Sequence, residues 1–552
     1  MSTKEKQCSN CQESFLITES DASFYKKIHV PDPQNCPKCR LVRRLLERNA
    51  RNLYYRKCDY SGEKIISQYH ENHSFPVYSQ DIWWSDKWDA LDYGQDFDFS
   101  KSFFEQFKEL SNKVPHFSTF IVGGTLQNSD FTNCTGYLKN CYLICESDYD
   151  EDCYYSNLLK NSKNLVDCSI CYDSELCYEC IDCMNCYNLK YSQDCDSCKN
   201  SFFLKDCRSC EDCIGCINQV HKQYMIRNKQ YTKDEYEKIK DDMNINTNSG
   251  ITSLAKEVDA FFQKQFHRNL HEEYNENSFG DHLYHSKNAE ECFDSKDIED
   301  CKYCEKLSLK VKDSMDYNSW GDKAELIYQC SACGTNIHNL KFCSTCVANL
   351  NDCEYCEQCT ACSQCFGCFG LKHKKYCILN KQYSEEEYTD LKNKIIGQMK
   401  KENEYGEFFP KEFCTFAYNE TIAMNHYPLT KEQALAQGYT WKDPDKREFK
   451  SQTCAVTENI NDVKDDIIDE ILACKNCHKN FKIIKPELQF YRSQSLSIPQ
   501  FCPDCRHLSR MGKRTAPELH NTKCAKCGDE TMTNNTSGHE IYCHKCYLET
   551  VI

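Results

Sequence analysis

Residues 180–216 read Cys180-Ile-Asp-Cys183-Met-Asn-Cys186-Tyr-Asn-Leu189-Lys-Tyr-Ser192-Gln-Asp-Cys195-Asp-Ser-Cys198-Lys-Asn-Ser201-Phe-Phe-Leu204-Lys-Asp-Cys207-Arg-Ser-Cys210-Glu-Asp-Cys213-Ile-Gly-Cys216, and every third residue is cysteine, serine or leucine. Extended back through Cys177, Cys171, Cys168, Leu165 and Cys153 to Cys141, the register covers 26 positions, of which only Asp150 is neither small nor apolar. Of the 16 cysteines from Cys134 to Cys216, 14 lie on it. A strand alternates with period two and a helix with period 3.6, so a period of three fits neither. It predicts a narrow solenoid.

A longer beat is superimposed: Asp182-Cys183-x-x-Cys186, Asp194-Cys195-x-x-Cys198 and Asp206-Cys207-x-x-Cys210 recur every 12 residues. With one coil per beat, Cys171, Cys183, Cys195 and Cys207 stack in a column at the strand spacing of roughly 4.7 to 4.9 Å. Each coil then turns four small residues inward and its Asp, Lys, Asn and Ser outward. The inward thiols admit three chemistries. They are small packing groups, or ligands of zinc or an iron–sulfur cluster where stacked pairs such as Cys183/Cys186 and Cys195/Cys198 converge, or the rungs of a disulfide ladder.

The chain has 552 residues, 45 cysteines and a formal charge of −16. Met1-Ser-Thr-Lys-Glu-Lys carries no apolar signal core, and no apolar run reaches the length of a membrane span. The expectation is a reduced, cytoplasmic compartment, where Cys pairs are more often metal ligands than cystines. The acidic balance argues against global attraction to nucleic acid while leaving room for a local basic patch.

Cys8-x-x-Cys11, 24 residues, then Cys36-Pro-Lys-Cys39 supplies four thiolates at zinc spacing. A knuckle, a hairpin around Phe15 and Phe24-Tyr25, then a second knuckle at a helix start is the treble-clef layout. Cys36 to Cys58 carries eight basic residues, Lys38, Arg40, Arg43, Arg44, Arg48, Arg51, Arg56 and Lys57, against the single acid Glu47. Such a helix either meets phosphates or docks on the chain's own acidic surface. The aromatics Trp83, Trp84, Trp88, Phe97, Phe99, Phe103, Phe104 and Phe107 are expected to pack on the first coil of the solenoid.

The middle is duplicated. Cys213-Ile-Gly-Cys216, His221, Tyr224 and Asn228-Lys-Gln-Tyr231 reappear 152 residues later as Cys365-Phe-Gly-Cys368, His373, Tyr376 and Asn380-Lys-Gln-Tyr383. Each copy ends in a capping box, Thr232-x-x-Glu235 or Ser384-x-x-Glu387, which starts a helix. The second copy keeps the triplet from Cys353 to Cys368, holds Cys292, Cys301 and Cys304 in another phase, and implies insertions at Cys330, Cys333, Cys343 and Cys346.

Near the C-terminus, Cys474-x-x-Cys477, 24 residues, Cys502-Pro-Asp-Cys505 repeats the first spacing. Phe481, Phe490-Tyr491 and Arg506 answer Phe15, Phe24-Tyr25 and Arg40. A compact ribbon follows: Cys524-x-x-Cys527-Gly528, then Cys543-x-x-Cys546. The N-terminal counterpart is eroded, with Cys58 kept and Ser61, Ser79 and Ile82 in the other ligand positions. One thiolate does not hold a structural zinc, so this copy is expected to be metal-free and held by its aromatics.

The C-x2-C-x24-C-P-x-C-R pattern resembles the family called probable zinc-ribbon (treble-clef) domains. The wider arrangement, with Trp83-Trp-Ser-Asp-Lys-Trp88, triplet cysteines and Asn-Lys-Gln-Tyr ends, is similar to large uncharacterised bacterial cysteine-rich proteins. The resemblance implies zinc binding and no particular activity.

The expected fold is mostly β: a central cysteine-rich β-solenoid of about 12-residue coils, duplicated, with small α+β zinc-ribbon and treble-clef modules at both ends and short helical inserts. Its expected segments are a treble clef at 1–57, a degenerate ribbon and connector at 58–130, and solenoid blocks at 131–231 and 281–383. A helical insert at 232–280, a helix and linker at 384–470, a treble clef at 471–515 and a zinc ribbon at 516–552 complete it. The expected cofactor is about three structural zinc ions, held by Cys8, Cys11, Cys36 and Cys39, by Cys474, Cys477, Cys502 and Cys505, and by Cys524, Cys527, Cys543 and Cys546. The expected function is a non-enzymatic zinc-binding scaffold with a macromolecular partner, nucleic acid or ribonucleoprotein being the first candidate, with no membrane and no small-molecule substrate. The alternative is a thiol-based metal store or redox protein.

Overall fold

A computed structural model describes residues 3–321, 324–332, 334, 337–342, 344, 348–444 and 448–551. Cys333, Cys343 and Cys346 lie outside the described residues. Two compact units form, each discontinuous in sequence. One combines residues 1–119 with 270–442 and 516–520, the other residues 120–269 with 443–515 and 521–552. The N-terminal modules thus share a unit with the second solenoid block, and the C-terminal modules share one with the first.

In the first block the strands Cys145–Asp148, Asn157–Lys160, Ser169–Tyr172, Ile181–Met184 and Gln193–Asp196 pair in parallel. The register places Cys171 on Cys183 and Cys183 on Cys195, one coil of 12 residues apart. Cys141, Cys153, Cys168, Cys171, Cys177, Cys180, Cys183 and their successors on the triplet are buried.

The period of three has a backbone cause. The residue before each inward one is left-handed, from Asn128 (φ 46°) through Asp182 (52°), Asp194 (54°) and Asp206 (51°) to Arg227 (48°). A left-handed residue costs roughly 1–2 kcal/mol unless it is Gly, Asn or Asp, which explains why Asp precedes the cysteine in each repeat. Asn and Asp also bridge coils: Asn140 Nδ2 donates to Asp152 Oδ1 at 3.0 Å and Asn188 Nδ2 to Asn200 Oδ1 at 2.9 Å. Inward serines accept an amide from the next coil, as Ser156 Oγ does from Cys168 N at 2.9 Å. Asp150 plays the serine part, its Oδ1 accepting from Ser162 N at 2.9 Å. Burial pushes its carboxyl up to about 8.

Both blocks end in the same cap. Asn228 and Asn380 are left-handed, and each side chain brackets the backbone of the preceding coil: Asn228 bonds Ile217 N and O at 3.0 Å, and Asn380 bonds Phe369 N and O at 2.8 Å. The chain then folds back, Lys229–Gln230 on Gln223–Ile226 and Lys381–Gln382 on Lys375–Ile378, in antiparallel pairs. Both expected capping boxes start helices, Lys233–Asp242 and Glu385–Lys401.

The second block shifts phase because several coils hold 13 residues: Cys301 pairs with Ser314 and Glu305 with Asn318. The extra residue is absorbed where Leu309 and Lys310 are left-handed in succession. The early aromatics pack on this second block rather than on the first coil at residue 120 onward: the Phe103 ring lies 5.1 Å from both Tyr355 and Phe366. Phe99 and Trp84 remain exposed.

Candidate metal centres

The N-terminal knuckle is carried by the antiparallel pair Lys4–Gln7 and Ser14–Ile17, and the second knuckle opens the helix Pro37–Leu46. Phe24 and Tyr25 sit on an intervening helix, Glu19–Lys27, not in the hairpin that their position suggested. The cause is local: Thr18 and Asp21 form a reciprocal capping box. The C-terminal copy matches, with Leu472–Ala473 paired to Asn480–Phe481, then helices Lys485–Ser493 and Pro503–Met511.

Three groups of four sulfurs come together, Cys8/Cys11/Cys36/Cys39, Cys474/Cys477/Cys502/Cys505 and Cys524/Cys527/Cys543/Cys546, and within each group the ligand atoms lie within 4.8 Å of one another. Specific separations are 3.8 Å for Cys11–Cys36, 3.6 Å for Cys477–Cys502 and 3.9 Å for Cys527–Cys543. Four sulfurs bound tetrahedrally at about 2.3 Å from zinc lie about 3.8 Å apart. Each group can therefore hold a metal ion with little rearrangement.

The backbone favours thiolate. Cys36 N donates to Cys8 Sγ and Cys543 N to Cys524 Sγ, both at 3.3 Å. Burial works against ionisation of Cys8, Cys474 and Cys524, yet amides of the two knuckles outweigh it and bring these thiols down to about 7, 6 and 6. Beside each clef an asparagine donates to the last sulfur: Asn10 Nδ2 to Cys39 Sγ at 3.3 Å and Asn476 Nδ2 to Cys505 Sγ at 3.4 Å. These outer partners orient the ligands. Their shared position, two residues after the first cysteine of each set, is a signal that spacing of cysteines alone passes over.

The eroded ribbon keeps the knuckle backbone. Cys58 N donates to Glu63 O at 2.8 Å as Cys524 N does to Asp529 O at 2.9 Å, and Ser79 N donates to Cys58 Sγ at 3.3 Å. Tyr60 meets Tyr78 edge-on at 5.4 Å and Trp83 is fully buried. Among the described residues no three bore thiols gather with all their sulfurs within 4.8 Å of one another. They donate to bore carbonyls, as Cys183 Sγ does to Ile181 O at 3.3 Å, and meet neighbouring thiols in the bore; burial holds Cys168 and Cys183 well above the ordinary thiol range.

The basic helices dock on the chain's own acidic surface, one of the two courses open to them. Arg40 and Arg44 are not displayed to solvent: both are buried, and both pair with the buried Asp316, at 2.7 Å from Arg40 Nε and 3.1 Å from Arg44 Nη1. In the other unit Arg506 and Arg510 pair with the buried Asp167 at 3.1 and 2.9 Å. Arg43 pairs with Glu407, Lys38 with Glu518 and Arg514 with Asp182. Nucleic-acid contact through these arginines would require pulling the helix off its own solenoid, because a buried guanidinium deprived of its carboxylate is costly.

The receiving surface is the same in both units. One left-handed residue per coil gives the column Tyr155, Asp167, Glu179, Tyr191, Phe203, Gly215 in one block and Tyr303, Asp316, Gln329, Phe342, Tyr355, Gly367 in the other, with φ between 54° and 63°. Arg506 lies over the Tyr155 ring at 4.9 Å and Arg40 over Tyr303 at 5.3 Å. Gly215 and Gly367 are required by their neighbours, since a Cβ there would come within 2.7 Å of Val258 and of Phe103. Among the described residues no helix is long and apolar enough to cross a membrane. No family model matches this chain, and no curated protein matches it.

Proposed function

We propose that the chain is a non-enzymatic scaffold in which three structural zinc ions hold small modules that clamp two cysteine-lined solenoid blocks, leaving the outer solenoid faces to a macromolecular partner. The observation that carries this reading is the coupling of each treble clef to a clamp: the last zinc ligand, Cys39 or Cys505, is followed directly by the arginine that reaches the buried Asp316 or Asp167. Thiolates, guanidiniums and buried carboxylates thereby serve to hold the chain together. Four-thiolate sets without an open ligand position suit a structural ion rather than a catalytic one. The partner is not assigned to nucleic acid through the post-knuckle arginines, which are occupied internally.

The test is metal analysis of freshly purified, reduced protein with its visible spectrum. About three zinc per chain and no colour supports the reading. Absorbance near 400 nm, or many more metals than the three thiolate sets can hold, would replace it with the cluster or storage alternative.

A further inference from the structure

His271 and His282 lie on consecutive coils at the start of the second solenoid block, where Leu283 N donates to His271 O at 3.0 Å. Their imidazoles stack, with centroids 4.3 Å and planes 17° apart. Both rings direct Nδ1 at one carboxylate: His271 Nδ1 lies 3.0 Å from Asp281 Oδ1, and His282 Nδ1 lies 3.0 Å from Asp281 Oδ2. Asp281 is 4 % exposed.

Two stacked imidazolium cations repel each other, whereas two neutral rings each donate Nδ1–H to the shared carboxylate without conflict. That tautomer places a lone pair on Nε2 of both rings. Because Nε2 lies across the ring from Nδ1, both lone pairs are carried away from Asp281, and each histidine offers a ring nitrogen within 4.8 Å of the other's. A carboxylate behind a histidine fixes ring orientation and raises ligand basicity, the arrangement that supports histidine metal ligands. Here one carboxylate does so for two. The His271 and His282 side chains are 18 % and 15 % exposed, so an ion can reach them. A second acid, Asp294, places Oδ1 at 3.9 Å from His282 Nδ1 and adds negative charge beside the pair.

We propose that His271 and His282 bind a divalent transition metal of the zinc, cobalt or nickel class through Nε2, with Asp281 as the positioning carboxylate. Imidazole nitrogen suits these ions. Imidazole ligation sets this site apart from the four-thiolate sets. The bound ion joins one coil to the next across their hydrogen-bonded edge.

The experiment titrates Ni²⁺ by calorimetry into full-length protein whose thiolate sets are already metal-loaded. Wild type is expected to take up one Ni²⁺ more than the His271→Ala/His282→Ala double variant, and Asp281→Asn to bind that ion 10–100-fold more weakly. Thiolate-bound zinc and the circular dichroism spectrum should be the same in all variants. Should the alanine pair fail to fold, His282→Gln keeps a donor for Asp281 while removing the imidazole, and is expected to lose the same equivalent. Identical isotherms for wild type and a folded histidine variant would overturn the site, and so would no Ni²⁺ uptake by wild type; neither result bears on the thiolate sets.

Discussion

Arg40 and Asp316 are 276 residues apart in sequence and form an ion pair in which neither side chain is more than 1 % exposed, with Nε 2.7 Å from Oδ2. Arg44 shares the same carboxylate from the next helical turn. The module therefore sits on the solenoid through a charge cluster that has no water to fall back on. Asp316→Ala strands two buried guanidiniums and is expected to destabilise this unit by about 3–5 kcal/mol. Arg44 Nε also donates to Asn318 Oδ1, so a double variant that replaces Arg40 with Met and Asp316 with Leu keeps a partner for Arg44 and should lose less than Asp316→Ala alone. Thermal unfolding of the set checks this, and additive losses would remove the clamp from the scheme.

Chelation is expected to open the ends before the middle. Structural zinc contributes roughly 10–16 kcal/mol of apparent binding energy to small modules, whereas the coils are held by their own ladders. Limited proteolysis in EDTA should cut first within residues 8–39, 474–505 and 524–546. Uniform cutting along the chain would contradict a metal-dependent terminus.

The two ribbons should respond differently to loss of their first cysteine. Cys524→Ala removes a ligand and is expected to lower the metal content by about one ion and unfold residues 520–551. Cys58→Ala keeps the knuckle bonds from Cys58 N and Gly62 N and should cost only about 1–3 kcal/mol, the range for a buried group left unpaired, with unchanged metal content. A drop in metal content for Cys58→Ala would show that the eroded copy is not metal-free.

Asp150 makes stability depend on pH in a defined direction. Its carboxyl is pushed up to about 8 by burial, so the folded chain keeps a proton that the unfolded chain gives up in the ordinary carboxylate range. The contribution is full below that range and falls as pH rises toward 8, by about 1.4 kcal/mol for each pH unit. Asp150→Asn retains an acceptor for Ser162 N and should flatten this part of the stability profile. A slope unchanged by the substitution would assign the dependence to other groups.

The left-handed positions predict which substitutions the coils tolerate. Asn188 has φ 53° and donates to Asn200. Asn188→Gly keeps the conformation and loses the rung, costing about 1 kcal/mol, while Asn188→Val adds the left-handed penalty of roughly 1–2 kcal/mol. Chemical denaturation distinguishes them, and equal losses would count against backbone handedness as the origin of the triplet.

The solenoid was legible because its inward register is a local property: Cys171, Cys183 and Cys195 are spaced by the coil itself. The thiolate sets were legible for a similar reason, since a C-x-x-C knuckle is built by adjacent residues and its partner knuckle lies within the same small module, in the clefs one strand and one helix away. The left-handed residues were written in the Asp and Asn that precede inward positions, but in the linear text they read only as outward polar groups. Asp150 looked out of place until the amide of Ser162 gave it the role of a serine.

The chain's order of residues by itself determined the period, the 12-residue coil of the first block, the caps at Asn228 and Asn380 and the three sets of four sulfurs, all of which depend on neighbours within a coil or within one small module. The tertiary structure alone decided that Arg40 and Arg44 face inward, that Asp167 and Asp316 are counterparts despite 13-residue coils that break their constant offset, and that each terminal module docks on the more distant solenoid block. Those choices follow from desolvation: a basic helix is exposed or buried according to whether a carboxylate is waiting for it, and that carboxylate is placed by coils hundreds of residues away.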